Sequence, residues 1–588
     1  MKKLKYLVGL AVLFAGLNSC DDFLDTKPYG SLSSEMMFST SSLAEGVLNG
    51  VYNNLYYDYI AGTSWNHRNW DAFASVLDPW SISDAFSYLS GTILTNNDLF
   101  STYWSLSYEG INRANDIIMN IDKVPDMTED MKARRMSEAK FLRAYYYYKL
   151  NAFWRGVPIY LENLSSNEYT KPRSSEEEVW NQIINDLTDC INCASLPNKY
   201  SATDADYGRI TKGAAYALRG KAYMWLKKWS EAEKDFLRVG NCGYSLFNGS
   251  YSDLFKVENE KCDEMIFSVQ MIERPNYGNS FAYTYGNYCT AGYGFNAYTL
   301  NTNFIESYGE TDGSKFNWEK YLPNYYSMTP KERSVYFLRD NITEKEKQDM
   351  INYGADMSKY LPDGNESRIL KAYANRDPRL AATAITPYSK YVGGSAGSEQ
   401  TYTYRFPYRG MDDAGGYDVC TQHTTNFQYL MRKFVPVGRQ YLNVNYNPLD
   451  VPIIRYADVL LSLAECLNEE GDLNEAISYV NMVRERAGVA PLSVVGQGDT
   501  YVPNSDDLRT RIQNEKKWEL VGEYNLYFEE LRWGTWKDSK FAIGNGLLEI
   551  WGLPLYQYFW GGDAYYKWAV PQAEIERNSN LVQNDYWQ

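Results

Sequence analysis

Apolar positions recur every three to four residues in several stretches of the chain, the spacing that lines them up on one face of a helix. Leu142, Tyr146 and Leu150 share such a face in a helix predicted around Lys132 to Phe153. A second stripe runs through Val179, Ile183, Leu187 and Ile191, and Ser175-x-x-Glu178 ahead of it reads as a capping box. A third carries Leu218, Ala222, Trp225 and Leu226. Its partner is expected to begin at another capping box, Ser230-x-x-Glu233, and to continue through Ala232, Phe236 and Val239. The clearest pair comes late: Leu460, Leu463, Ala464 and Leu467, a turn at Gly471-Asp472, then Ala476, Tyr479, Val480 and Val483. Between about Asn276 and Tyr446 the periodicity fails, and Gly, Asn, Tyr and Pro dominate. The pattern therefore predicts a mainly α fold: helix hairpins forming a scaffold, with a loop-rich irregular region containing short strands. Loops held on a rigid scaffold are where binding residues concentrate.

Composition narrows the class. The chain has 588 residues, 16% of them aromatic, with 54 Tyr and 16 Trp. With a mean hydropathy of -0.50, this excludes a polytopic membrane protein and collagen, and it argues against bulk disorder. A formal charge of -16 provides no basic footprint for a nucleic-acid backbone. At the amino terminus, Lys2, Lys3 and Lys5 precede an apolar stretch from Tyr6 to Leu17, too short for a comfortable membrane span. It ends in Leu17-Asn18-Ser19-Cys20, which resembles the lipobox of a bacterial lipoprotein, in which Cys20 becomes the first residue and carries acyl chains. Loss of that leader removes three lysines and takes the formal charge from -16 to -19. One acyl chain anchors only marginally, whereas two or three anchor firmly. Asp21, Asp22 and Asp25 follow at once and resemble the surface-export signal of Bacteroidetes lipoproteins. The other cysteines, Cys190, Cys193, Cys242, Cys262, Cys289, Cys420 and Cys466, are odd in number and scattered, so they read as small buried hydrophobes rather than a disulfide framework.

The hairpins, roughly 30 to 40 residues each, resemble interrupted tetratricopeptide repeats, in which each hairpin stacks on a neighbour to bury its apolar face. Four stretches then occur in order. The first is EAKFLRAYYYY from Glu138 to Tyr148, followed by RGVPI from Arg155 to Ile159. The second is GRITKGAA from Gly208 to Ala215, leading into Ala222-Tyr223 and Trp229-x-x-Ala232. The third is PIIRYADVLL from Pro452 to Leu461 with Ala464-Glu465, then Asn481-x-Val483-Arg484-x-Arg486-Ala487. The fourth is Glu519-Leu520, Glu523 and Arg532-Trp533-Gly534, ending in Val570-Pro571, Glu574-Ile575 and Gln583-Asn584. Together with the lipobox, their order and spacing resemble the SusD/RagB family of outer-membrane nutrient-binding lipoproteins of Bacteroidetes, over nearly the whole mature chain. Departures fall in the fourth stretch. Tyr524 stands where the family commonly has Gly, Leu526 where it has Arg, and Glu529 where it has Asp; Ser579 replaces part of a usual Asn-Pro.

The resemblance implies a protein on the outer face of the outer membrane. Such proteins cap a SusC-like TonB-dependent transporter and deliver glycans to it or, in some members, peptides; they do no chemistry. It implies a signal peptide at 1–19, a lipidated tether at 20–30, an N-terminal helical region at 31–275, a loop-rich ligand-binding region at 276–450 and a C-terminal helical region at 451–588.

Other constellations are weaker. Gly393-Gly-Ser-Ala-Gly397, with Asp418 and His423 downstream, formally matches a nucleophile elbow. The sequence that follows, Ser398 to Tyr404, reads as strand or loop where the elbow needs a helix. Gly292-x-Gly294-x-x-Ala297 lacks the strand and helix context of a dinucleotide site. Cys190-x-x-Cys193 lies inside a predicted helix with no second pair at zinc spacing. No cofactor is implied. Asp204-x-Asp206 and Asp412-Asp413 have the oxygen chemistry for a structural calcium but not the EF-hand spacing, and read as solvated loop acids.

Aromatic residues in polar loops carry the binding expectation. One cluster holds Trp65, His67, Arg68, Asn69, Trp70 and Trp80 with Asp71 and Asp78. Another holds Tyr277, Tyr283, Tyr285, Tyr288, Tyr293, Phe295 and Tyr298. A third holds Trp318, Tyr321, Tyr325 and Tyr326. A pyranose presents an apolar face and a hydroxyl rim; an exposed ring covers the face while Asn, Asp and Arg meet the rim. The expected ligand contacts are Trp65, Arg68, Asn69, Trp70, Asp71 and Trp80, with Tyr283, Tyr285, Tyr288, Tyr293, Trp318 and Tyr325. The function expected is capture of an oligosaccharide or polysaccharide and its delivery to the transporter, without nucleic acid. The alternatives are peptide capture and a surface glycosidase, which would need two carboxyls about 5 to 9.5 Å apart across a cleft.

Overall fold

The computed structural model describes residues 34–56, 70–79, 81–165, 167–410, 417–421, 426–585 and 587. Cys20 and the leader expected before it lie outside the described residues. No helix among the described residues is long and apolar enough to cross a membrane.

The frame is helical. Its helices are α1 (Ser41–Asn53), α2 (Asp98–Asn120), α3 (Glu129–Trp154), α4 (Glu176–Asn192), α5 (Lys212–Trp225) and α6 (Trp229–Asn241). After a long excursion follow α7 (Tyr456–Glu470), α8 (Leu473–Ala487), α9 (Ser505–Leu520) and α10 (Leu526–Trp533). Neighbours stack in series: α2 on α3, α3 on α4, α4 on α5, α5 on α6, α6 on α7, and α7 on α8 and α9. The caps explain most starts. Ser175 accepts from Glu178 N while the Glu178 carboxylate accepts from Ser175 N, the capping box the sequence predicts. Gly471 ends α7 in the left-handed conformation at φ +91°, where a side chain would be strained. The box expected at Ser230 does not form: α6 starts at Trp229, and its cap, Lys228, makes no side-chain cap bond. The tight α5–α6 turn, with Lys227 at φ +55°, places the cap two residues early.

The excursion is rooted on a pair of strands. β2 (Met265–Val269) runs antiparallel to β7 (Val451–Arg455), so the chain leaves the frame and returns to it side by side. Among its described residues the strands and helices are short. β3 (Tyr298–Leu300) pairs with β1 (Leu77–Pro79), and β4 (Lys390–Gly393) pairs with β5 (Gln400–Thr403), which takes β6 (Tyr417–Asp418) in parallel.

One buried ion network holds the frame to this root, and a second ties frame helices to one another. Arg455, fully buried at the β7–α7 junction, pairs with Glu264, Glu519 (3.0 Å) and Glu523 (2.7 Å). Arg486 joins Glu264 (3.1 Å) and Glu519, Arg379 joins Asp377 and Glu515 (2.7 Å each), and Lys433 joins Glu523 (2.6 Å). Burial pushes the Glu519 carboxyl up, but Arg486, Arg455 and Arg379 outweigh it and hold it below the ordinary carboxylate range. In the second network Glu529 meets Lys221 (3.4 Å), Lys516 (3.1 Å) and Arg532 (2.5 Å), and Glu465 meets Arg532 (2.7 Å).

The departures in the fourth stretch acquire a physical reading here. Tyr524 takes φ +67° in the place of a glycine. Its backbone N–H and those of Gly522 and Leu526 all donate to the buried Asp71 carboxylate, at 3.2, 2.8 and 2.9 Å. Glu529 reaches three cations, and Leu526 is buried.

Candidate functional site

The candidate site is an aromatic loop between residues 278 and 298. The chain makes one helical turn at Phe281–Thr284, doubles back and pairs with itself. Phe295 N donates to Tyr283 O (2.8 Å), Asn296 N to Gly286 O (2.6 Å) and Gly294 N to Asn287 O (3.1 Å). The fold-back depends on glycine. A Cβ on Gly294 would fall 2.4 Å from the backbone of Gly286, and one on Gly286 would fall 2.2 Å from Ala282 O. At the loop's tip Gly292 and Tyr293 both take positive φ, +79° and +66°. A tyrosine held there is backbone strain of the kind that clusters at ligand sites.

The result is a ring cluster. Tyr283 and Phe295 lie 4.7 Å apart, Tyr288 and Phe295 5.6 Å, Tyr288 and Tyr293 6.2 Å between centroids. Tyr293 is 47% exposed; Tyr283, Tyr288 and Phe295 are half-buried. Burial pushes the Tyr283 and Tyr288 phenols up, so both stay protonated donors at neutral pH. The loop docks on the strands of the excursion: Tyr288 N donates to Cys420 O (3.0 Å) and Gly394 N to Cys289 O (2.9 Å). Nearby, the fully buried Tyr402 and the half-buried Tyr417 pair at 5.7 Å. Beneath the cluster Asp418 is buried and paired with Arg339 (2.8 Å) and Arg405 (3.4 Å).

The expected contact residues divide. Trp65, Arg68, Asn69 and Trp80, with His67, lie outside the described residues. Tyr283, Tyr288 and Tyr293 come together in the cluster. The others are core. Trp70 is fully buried between Tyr103, Phe153 and Trp568, at 5.0 to 5.7 Å. Asp71 is consumed by the three backbone donors named above, and burial lifts its pKa to about 7 against their pull. Tyr285 stacks on Phe281 at 5.3 Å and is fully buried. Trp318 and Tyr325 stack on each other at 4.9 Å, and the Trp318 indole donates to Glu306 (2.8 Å). These five fill the floor under the loops rather than a ligand surface, because each is buried inside the protein.

Sequence reasoning missed Tyr402 and Tyr417. Only the parallel Tyr402↔Tyr417 register brings them together, and no local pattern marks a pairing of that range. Tyr277, named in the second aromatic cluster, stands apart from it: it is 41% exposed and edge-on to the half-buried Tyr56 at 5.9 Å, with Arg274 over its ring.

The other constellations resolve simply. Ser395 follows β4 in the turn to its antiparallel partner β5, so no helix leaves it and no elbow forms; His423 lies outside the described residues. Cys190 is buried in α4 and Cys193 caps its end. Asp206 is claimed by Arg134, Arg135 and Arg209; Asp412 and Asp413 lie outside the described residues. Among the described residues no three potential ligand side chains are placed to hold a metal ion.

Comparison with known proteins supplies the lineage. The model of the SusD family matches residues 263–587, and one described as starch-binding associating with outer membrane matches 22–224. A SusD-like protein of Formosa agariphila is 23% identical over 99% of this chain and 98% of its own. Starch-binding protein SusD of Bacteroides thetaiotaomicron is 21% identical over 79% of this chain and 75% of its own. A SusD-like carbohydrate binding protein from Bacteroides fragilis shares the fold with a TM-score of 0.69 at 22% identity, over 93% of this chain and 100% of its own. Surface glycan-binding protein A from Bacteroides thetaiotaomicron, in complex with laminarihexaose, gives 0.61 at 18% identity, over 93% and 100%. A helical frame with buried arginine networks, an excursion rooted on paired strands and a family model spanning more than half of the sequence agree: the chain belongs to the SusD family.

Proposed function

We propose that the chain is a glycan-binding protein of the bacterial cell surface that captures an oligosaccharide and hands it to a SusC-like TonB-dependent transporter of the outer membrane. The observation that carries the reading is the cluster of Tyr283, Tyr288, Tyr293 and Phe295, four neighbouring rings on a strained, glycine-dependent loop with Tyr293 half in solvent. Rings held this way offer flat apolar area at little entropic cost, and their phenols and the nearby amides suit a hydroxyl rim. The printed descriptions of relatives support the ligand class: starch for one, a laminarihexaose complex for another. Association with the outer membrane is supported by the description of the family model over residues 22–224, and acylation of Cys20 by the lipobox. Binding without catalysis is the role proposed, since Asp418 beneath the rings is spent on Arg339 and Arg405.

Titration calorimetry of the soluble chain against starch-derived and laminarin-derived oligosaccharides, beside a peptide panel, tests this. Saturable binding of a glycan is expected. Binding of peptides with no response to any glycan would overturn the ligand class.

A further inference from the structure

A cavity of about 500 Å³ lies on the N-terminal side of the frame, away from the loop cluster in every element that builds it. Its floor is one face of α2: Trp104, Tyr108 and Asn112 recur every four residues, the spacing that stacks side chains along a helix. Its wall is the segment after α3, with Tyr160 and Tyr169. The chain's final turns, Glu574 to Leu581, close the far side. The volume falls within the range of about 300 to 1,000 Å³ typical of small-molecule sites.

The lining is aromatic and continuous. Trp104 and Tyr108 lie 5.2 Å apart, Tyr108 and Tyr160 6.1 Å, Tyr160 and Tyr169 4.9 Å. The walls are fixed by their own hydrogen bonds. Tyr108 donates to Pro158 O (2.7 Å), Tyr169 OH accepts from Leu164 N (3.1 Å), and Asn578 donates to Lys171 O (2.9 Å). Asn112 contributes to the floor as well. The charges at the rim, Glu574 and Arg577, pair with each other at 2.9 Å, so the cavity does not select an ion.

Ring-bearing walls and no net charge fit a neutral polyol with apolar C–H faces. We propose that this cavity is a second carbohydrate site, taking one or two pyranose units against its aromatic lining. The proposal rests on the reading of the chain as a glycan binder and adds a contact separate from the loop cluster. A long glycan engaged at two places would gain by effective concentration rather than by tighter contact at either.

Saturation-transfer NMR with maltose, laminaribiose and methyl glycosides of glucose, galactose, mannose and xylose tests it. The proteins are the wild type, a Tyr288→Ala/Tyr293→Ala loop variant, and that loop variant carrying either Tyr169→Ala or Thr170→Trp. Thr170→Trp fills the cavity without removing a ring from its wall, and unchanged thermal unfolding certifies each fold. The loop variant is expected to keep a weak sugar signal that either cavity substitution lowers about tenfold. A wild type that binds while the loop variant loses every signal overturns the second site and leaves the first standing. So does a residual signal that neither cavity substitution changes. A wild type silent to every sugar sinks the glycan reading and this proposal together.

Discussion

At the scale of single residues, exposure decides which aromatic can meet a ligand, and it changes from one residue to the next. Tyr325 is 1% exposed and Tyr326 is 51% exposed. Tyr285 is buried on Phe281, whereas Tyr283, two positions earlier, stands in the ring cluster. The sequence marks all of them alike, as Tyr among Gly and Asn, because irregular backbone has no period from which to read a buried face. That is why aromatic loops were legible in the sequence while Trp318, Tyr325, Tyr285 and Trp70 were misplaced among the contacts. Tyr293→Ala and Tyr288→Ala should each weaken glycan binding about tenfold by calorimetry, the size of one lost ring contact. Their unfolding midpoints should stay near the wild type's, since Tyr293 is half exposed and Tyr288 lies at the edge of the core. A wild-type affinity in both variants would remove the cluster from the site.

Elements divide by how local their causes are. The helices were legible because their periodicity and their caps lie within a few residues of each other, as at Ser175 and Glu178 or at Gly471. The start of α6 was not, because the turn before it, with Lys227 at positive φ, overrides the Ser230 box. The loop from 278 to 298 lies at the other extreme. Its shape comes from the contact of Gly286 with Gly294 and from docking on β4 and on residue 420, which sequence proximity does not announce. Gly294→Ala should therefore abolish glycan binding, because its Cβ would meet backbone at 2.4 Å and the fold-back would open. Far-ultraviolet circular dichroism should be unchanged, since the frame helices do not touch this pair. Retained affinity in Gly294→Ala would show that the loop's geometry is not what binds.

The whole molecule is held by charges that the sequence displays but does not connect. Glu264, Arg379, Arg455, Arg486, Glu519 and Glu523 come from five separate segments and meet in one buried network. Removing one partner of a buried pair leaves the others uncompensated, so Arg455→Ala should destabilise the fold by about 3 to 5 kcal/mol in denaturant unfolding. The same chain carries carboxyls shifted in both directions. Burial lifts Asp71 and Glu549 to about 7, so the folded state holds protons that the unfolded state releases. Their contribution is present at low pH and is lost as pH rises through about 7. Glu519 and Glu529 are shifted down despite burial, by Arg486 and Arg455 for the first and by Arg532 and Lys516 for the second. Theirs is present above about pH 4.5 and is lost on further acidification. Stability should therefore peak in mild acid, near about pH 5, and fall on both sides. Denaturant midpoints that decline steadily from pH 7 downward would contradict that balance.

The central claim is that a helical frame of the SusD family presents the loop from 278 to 298 as its glycan platform. A crystal structure of the chain with an oligosaccharide that calorimetry has shown to bind tests it most directly. The account predicts a sugar ring against Tyr288 and Tyr293, with the loop backbone where it stands without ligand. An ordered oligosaccharide held elsewhere, with the rings of Tyr283, Tyr288, Tyr293 and Phe295 touching none of it, would contradict the account.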